Sequence, residues 1–181
     1  NPAARDAMAQ ILINSRMCAE GHRPICQDTG IVTVFLKIGM DVQWDAELSV
    51  SDMVNEGVRR AYTHPDNVLR ASILEDPAGA RRNTQDNTPA VIHMEVVKGD
   101  TVDVQLAAKG VGSENKSKLV MLNPSDSIVD WVVKTIPTMG AGWCPPGMLG
   151  IGIGGTAEEA ALMAKEALMD PIDIHELRER G

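Results

Sequence analysis

Three short segments of this 181-residue chain carry residue types that ligand and proton chemistry require. The first is Arg23-Pro24-Ile25-Cys26-Gln27-Asp28-Thr29-Gly30. A cysteine flanked by an amide and a carboxylate, between a proline and a glycine, suits a metal-cluster ligand with a general acid or base beside it. A turn built around a small buried cysteine accounts for the same residues. The second is Ala108 to Lys118, where Gly110 and Gly112 expose backbone N–H groups among Lys109, Lys116 and Lys118, an arrangement suited to an anion. It lacks the Gly-Lys-Ser/Thr triplet of a P-loop, and an ordinary solvated loop explains it equally. The third is Gly140-Ala141-Gly142-Trp143-Cys144-Pro145-Pro146-Gly147. Two prolines after Cys144 remove two donors and hold the thiol at a rigid turn, as a metal ligand requires, although a structural loop has the same form.

A fourth segment, Gly152-Ile153-Gly154-Gly155-Thr156-Ala157, has the form of a dinucleotide-binding fingerprint. The acidic residues that follow at about the right distance, Asp170, Asp173 and Glu176, stand in a Pro-containing tail instead of at the end of a second strand. The alternative is that these glycines permit close strand–helix packing or backbone contact with another ligand.

The elements that must position these segments are legible from periodicity. Ala4, Ala7, Met8, Ile11, Leu12 and Cys18 have helical spacing and predict a helix with one buried face, ended by Gly21. Ile31 to Ile38 is nearly continuously apolar and predicts a strand buried on both faces. Ser51 to Tyr62 predicts a helix closed by His64-Pro65, and Asp76 to Pro89 has no period and predicts a loop. Ala90 to Val97 and Thr101 to Ala108 both alternate around Gly99-Asp100, which predicts an antiparallel hairpin with one face in the core. Ser125 or Asp126 suits the cap of a helix through Val133; Met148 to Ile153 suits a short strand, and Thr156 with Glu159 a capping box that opens a helix to Met169. Together these predict an α/β fold: a mixed sheet flanked by helices and containing an antiparallel hairpin.

Composition narrows the partners. A formal net charge of −8 argues against nucleic acid, whose binding needs clustered Lys and Arg. No apolar run approaches the roughly 20 residues that cross a bilayer, and no basic-then-apolar leader is present, so a cytoplasmic protein is expected. Three cysteines without a secretory signal suit thiols or metal ligands better than disulfides. Asn1 at the start and Arg178-Glu179-Arg180-Gly181 at the end suggest a single-domain piece, residues 1–181, of a longer protein.

Pro24 to Gly30, the loop Lys109-Gly110-x-Gly112-Ser113-x-Asn115-Lys116, Trp143-Cys144-Pro145-Pro146 and Gly154-Gly155-Thr156 occur together and in order over most of the chain. This constellation resembles the class I, iron–sulfur-dependent fumarases and their two-chain relatives, including the α subunit of L-tartrate dehydratase. The resemblance implies a hydro-lyase that hydrates fumarate to malate with a [4Fe–4S] cluster whose open iron acts as a Lewis acid. It places Cys26 and Cys144 at two cluster-ligand positions, with the third ligand and a C-terminal domain beyond this chain, which by itself would be catalytically incomplete. It also assigns Gln27 and Asp28 to the active site, Arg70 to a substrate carboxylate and Gly112 to a backbone–substrate contact, and it implies a homodimer. Cys18 matches no ligand position and belongs on the buried face of the first helix.

Overall fold

A computed structural model of the chain describes residues 1–26, 28–143, 147–171 and 173–180. Its helices are α1 (Pro2–Gly21), α2 (Val50–Thr63), the short α3 (Val111–Glu114), α4 (Ile128–Thr135), α5 (Ala157–Glu166) and α6 (Ile174–Arg180). The strands are β1 (Ile31–Gly39), β2 (Leu74–Glu75), β3 (Arg82–Asn83), β4 (Val91–Val97) and β5 (Val102–Lys109). Two compact units result: Asn1–Ser117 with Leu122–Pro146, and Lys118–Met121 with Gly147–Gly181. No helix among the described residues is long and apolar enough to cross a membrane.

The first unit is organised by β1, whose residues Val32 to Leu36 are all buried, as a strand covered on both faces must be. It lies at the centre of a three-stranded mixed sheet in the order β4-β1-β5, parallel to β4 and antiparallel to β5. The sheet thus has the expected mixed character and an antiparallel pair, but the partners differ from those the local pattern suggests. The strands on either side of Gly99-Asp100 do not bond to each other, because β1 stands between them. Their link passes over the end of β1 and is tied there by Gly39 N–H to Thr101 O (2.9 Å), Met40 N–H to Val97 O (2.8 Å) and Asp41 N–H to Gly99 O (2.9 Å). A strand as apolar as β1 gains most by pairing on both edges, and that long-range gain outweighs the local turn.

The face of the sheet that carries Val32, Val34 and Leu36 packs against Val58 and Tyr62 of α2, with Ile38, Val54 and Ile92 around them. Helix α2 is well specified locally: the Ser49 side chain accepts from Asp52 N–H at 3.1 Å, and the helix stops before Pro65. The same sheet face extends onto Met94, Val104 and Leu106, which stay largely exposed. The expected one-sided burial of β4 and β5 is therefore only partial.

Other elements depart from expectation in specific ways. Helix α1 forms, but none of its residues is buried, and Cys18 is only half-buried, its thiol donating to the Pro24 carbonyl at 3.3 Å. The left-handed residue that ends it is His22 (φ 49°) instead of Gly21. The segment 76–89, expected to be all loop, contains β3, which pairs antiparallel with β2 just before it. The cap of α4 is Ser127, which accepts from Asp130 N–H at 3.1 Å, while Asp126 closes a turn with Asn123 N–H at 2.7 Å. In the second unit, Met148 to Ile153 enters no ladder among the described residues, and α5 continues as a 3₁₀ turn over Ala167–Met169.

Two outcomes follow for the first unit. Val34→Ala removes two methyl groups from a site 1% exposed and should cost about 2 kcal/mol in a urea unfolding titration. The second concerns Asp86. Partial burial by itself raises its pKa, but hydrogen bonds from the Thr88 N–H (3.0 Å) and hydroxyl (2.8 Å) and from Arg59 (3.0 Å) outweigh it and hold the carboxyl below its ordinary range. A carboxyl depressed in the folded state adds stability that is present above the unfolded value, about pH 4, and is lost as pH falls through the folded value. Asp86→Asn should therefore be less stable at neutral pH and lose less further stability than the parent between about pH 5 and 3.

Candidate functional site

The register of β1 against β5 pairs Ile31 with Lys109, so the Cys26 loop enters the sheet where the Gly110 loop leaves it. Gly30 makes this possible. Its φ is +55°, and a Cβ at this position would overlap the Lys109 carbonyl oxygen. The two loops then touch directly, with the Asp28 carboxylate accepting from Gly112 N–H at 3.3 Å, at the start of α3. The third motif joins the other side of the same turn. A Cβ on Gly112 would stand 2.6 Å from the Gly142 carbonyl oxygen, and the Ser113 hydroxyl donates to the Trp143 carbonyl at 3.4 Å. Lys116 lies over Gly142, its Cε 3.2 Å from where a Cβ would be. Three segments that together span more than a hundred residues of sequence thus meet around Gly112. Gln27 and Cys144 lie outside the described residues.

Of the loop's three lysines, Lys109 pairs with Glu114 at 2.8 Å and closes the loop on itself. Lys116 is the one set against the third motif. Among the described residues no three His, Cys, Asp or Glu side chains converge to hold a metal ion.

Beside the assembly is an open cavity of about 410 Å³ lined by Arg23, Pro24, Cys26, Thr29, Val68 and Arg70. Its two charged lining residues are both arginines, in a chain whose net charge is −8. Cys26 and Arg70, 44 positions apart by their numbers, therefore share one concavity that favours an anion. Arg23 and Thr29 stand in the first motif, yet nothing in their spacing marked them as lining residues.

Arg70 is carried by an irregular stretch between α2 and β2, whose backbone groups are satisfied by side chains instead of a ladder. Asn67 bonds both the N–H and the carbonyl of Leu69 (2.8 and 2.7 Å), and Asn83 donates to the Ala71 carbonyl (2.9 Å). The Thr29 hydroxyl donates to the carbonyl of Arg70 itself. Asn87, fully buried, accepts from Ser72 and Ile73 N–H (2.6 and 3.2 Å) and donates to the Gly30 carbonyl at 3.1 Å. The Tyr62 hydroxyl is buried beside Thr29 and Asn87 without a well-aligned bond among the described residues, and burial raises its pKa. The segment 76–89, aperiodic in sequence, thus supplies two of the residues that hold the arginine. An Asn amid turn residues was the one available signal, and turn formation alone explains it.

In the second unit the first fingerprint glycine, Gly152, and Gly150 before it serve close packing. A Cβ on Gly150 or Gly152 would overlap the carbonyl oxygens of Ala164 and Ala160 of α5. The Glu159 carboxylate lies over Gly155 and accepts from Thr156 N–H at 3.4 Å as part of the capping box. The helix N-terminus, where a pyrophosphate would have to sit, already holds a negative group.

The family model described as fumarate hydratase (Fumerase) matches residues 1–180. The Methanocaldococcus jannaschii protein named "Putative L(+)-tartrate dehydratase subunit alpha" is 36% identical over 176 residues, covering 93% of this chain and 61% of that protein. The L(+)-tartrate dehydratase subunit alpha of Escherichia coli (strain UTI89 / UPEC) is 28% identical over 162 residues, covering 88% of this chain and 53% of its own length. The chain therefore spans between about half and three fifths of these curated relatives. Because the family match takes in all the motifs gathered around Gly112 and the arginine cavity, the chain belongs to the fumarate hydratase (Fumerase) family.

Proposed function

We propose that this chain is the cluster-binding portion of a class I hydro-lyase acting on a C4 dicarboxylate, with fumarate and malate as the pair it interconverts. The observation that carries the reading is the cavity lined by both Cys26 and Arg70. A thiol at the wall of an arginine-lined cavity has the donor chemistry of a cluster ligand beside an anionic substrate. Cys26 and Cys144 would hold a [4Fe–4S] cluster with a third ligand from outside this chain. When bound, that cluster supplies an open Lewis-acidic iron for the substrate's hydroxyl and carboxylate oxygens.

The chain's own residues bind and orient. Arg70 presents a planar fork to one substrate carboxylate, a geometry that fixes direction as well as adding affinity. Asp28, two residues after Cys26 in the loop and anchored on Gly112 N–H, holds or passes a proton, and Gln27 orients the substrate. The 3.3 Å contact between Gly112 N–H and Asp28 is at the long end for such a bond, so a substrate oxygen can take that donor over. The remaining acid–base groups lie outside this chain, so the isolated piece is catalytically incomplete, and the full-length enzyme is a cytoplasmic homodimer.

The names of the curated relatives favour a second reading within the same chemistry, an L-tartrate dehydratase α-type subunit. Anaerobic reconstitution of the full-length protein with iron and sulfide, followed by kcat/KM for malate and for tartrate, separates the two. The fumarase reading expects malate to be preferred, and absence of both cluster absorption and hydration ends both. Cys26→Ser should abolish cluster absorption and activity together. Arg70→Gln should leave the cluster absorption in place and raise KM by about 10- to 100-fold, the loss of a bidentate charged contact.

A further inference from the structure

We infer that Asn87 and Thr29 are positioning residues that set the Arg70 guanidinium for a substrate carboxylate by clamping its irregular segment onto the Cys26–Gly30 loop; this rests on the reading of the cavity as a dicarboxylate site. Arginine is a long, flexible side chain, so the geometry it offers an anion depends on how firmly its backbone is held. At Arg70 no sheet or helix does this. Asn87 bridges instead: its amide oxygen takes the N–H groups of Ser72 and Ile73, and its amide nitrogen gives to the Gly30 carbonyl, two residues beyond Asp28. Thr29 closes the same gap from the other side through the Arg70 carbonyl.

Both clamps are deeply buried, Asn87 at 0% and Thr29 at 4% exposure, so water does not compete for their bonds. Asn87 also adopts a left-handed backbone (φ 59°), which asparagine tolerates better than most residues. Its loop is held in turn by α2, through Arg59 to Asp86 (3.0 Å) and through the Asn55 side chain, which accepts from Ala90 N–H at 2.8 Å. The chain of contacts therefore runs from α2 through the 86–90 segment to both walls of the cavity. Neither Asn87 nor Thr29 needs to touch substrate. Each acts through Arg70, and that dependence separates positioning from a general contribution to folding.

The test is a double-mutant cycle on the full-length protein, read as binding of succinate, an unreactive C4 dicarboxylate, by ligand-observed NMR well below the melting transition of each variant. Thr29→Val keeps the shape and removes the hydroxyl; Asn87→Ser shortens the amide beyond reach of its partners. Each should weaken succinate binding by about tenfold, on the scale of one misplaced charge-assisted contact. Thr29→Ser, which keeps the hydroxyl, should bind as the parent does. In an Arg70→Gln background both effects should vanish. Unchanged affinity in the single variants, or the same fold-loss with and without Arg70, overturns the inference while leaving the dicarboxylate site standing. If Asn87→Ser fails to fold, the Thr29 arm decides alone. A parent protein that binds no succinate overturns the reading of the cavity and this inference with it. A parent that binds succinate but turns over neither malate nor tartrate defeats only the proposed reaction.

Discussion

The site depends on one register, Ile31 opposite Lys109 where β1 runs antiparallel to β5. Because β1 follows the Cys26 loop directly and β5 leads directly into the Gly110 loop, that register brings the two loops to the same end of the sheet. A slip of one residue would turn Val32, Val34 and Leu36 out of the core, so the hydrophobic pattern of β1 enforces the alignment of the site as well as the packing of the domain. Gly30 is the local condition for it, since any side chain there would meet the Lys109 carbonyl.

Around that register the structure separates two kinds of support. The central strand and α2 are held by apolar burial, which is strong and non-directional. The Arg70 segment and the 86–90 segment are held by directed hydrogen bonds from Asn67, Asn83, Asn87 and Thr29, each satisfying backbone groups that would otherwise be orphaned. Directed bonds suit a segment whose task is to present one side chain in one orientation. The cavity lies between these two regimes, with Cys26 and Thr29 contributed from the sheet side and Arg70 from the hydrogen-bonded strap.

The apolar surface is distributed unevenly. Helix α2 covers the middle of the sheet, while Met94, Val96, Val104 and Leu106 of the flanking strands remain largely exposed, as do Leu12, Ile13 and Met17 of α1. The second unit places Gly150 and Gly152 against α5 and Glu159 over Gly155 at the start of that helix, so the first glycine of a sequence with the form of a nucleotide fingerprint is spent on close packing. The same small residues serve either purpose, and Glu159 already places a carboxylate at the helix N-terminus.

What the sequence determined by itself was local and periodic: the buried strand at 31–38, the helices starting near residues 4, 51 and 157, the capping box at Thr156 and Glu159, and the loop that carries Cys26; the expected loop at Gly112 instead holds the short helix α3. Each follows from interactions within a few residues or from a repeat of 2 or 3.6 residues, so it is visible without knowing the rest of the chain. Strand partnership was not, because Gly99-Asp100 is a competent turn and only the demand of β1 for two partners excludes the hairpin. The roles of Arg23, Thr29 and Asn87 were equally hidden, since their partners stand as far as 57 positions away and polar side chains carry no periodic signal. Tertiary structure alone decided which loops share the cavity and which side chains hold its arginine, because both are contacts between segments whose separation in sequence says nothing of their distance in space.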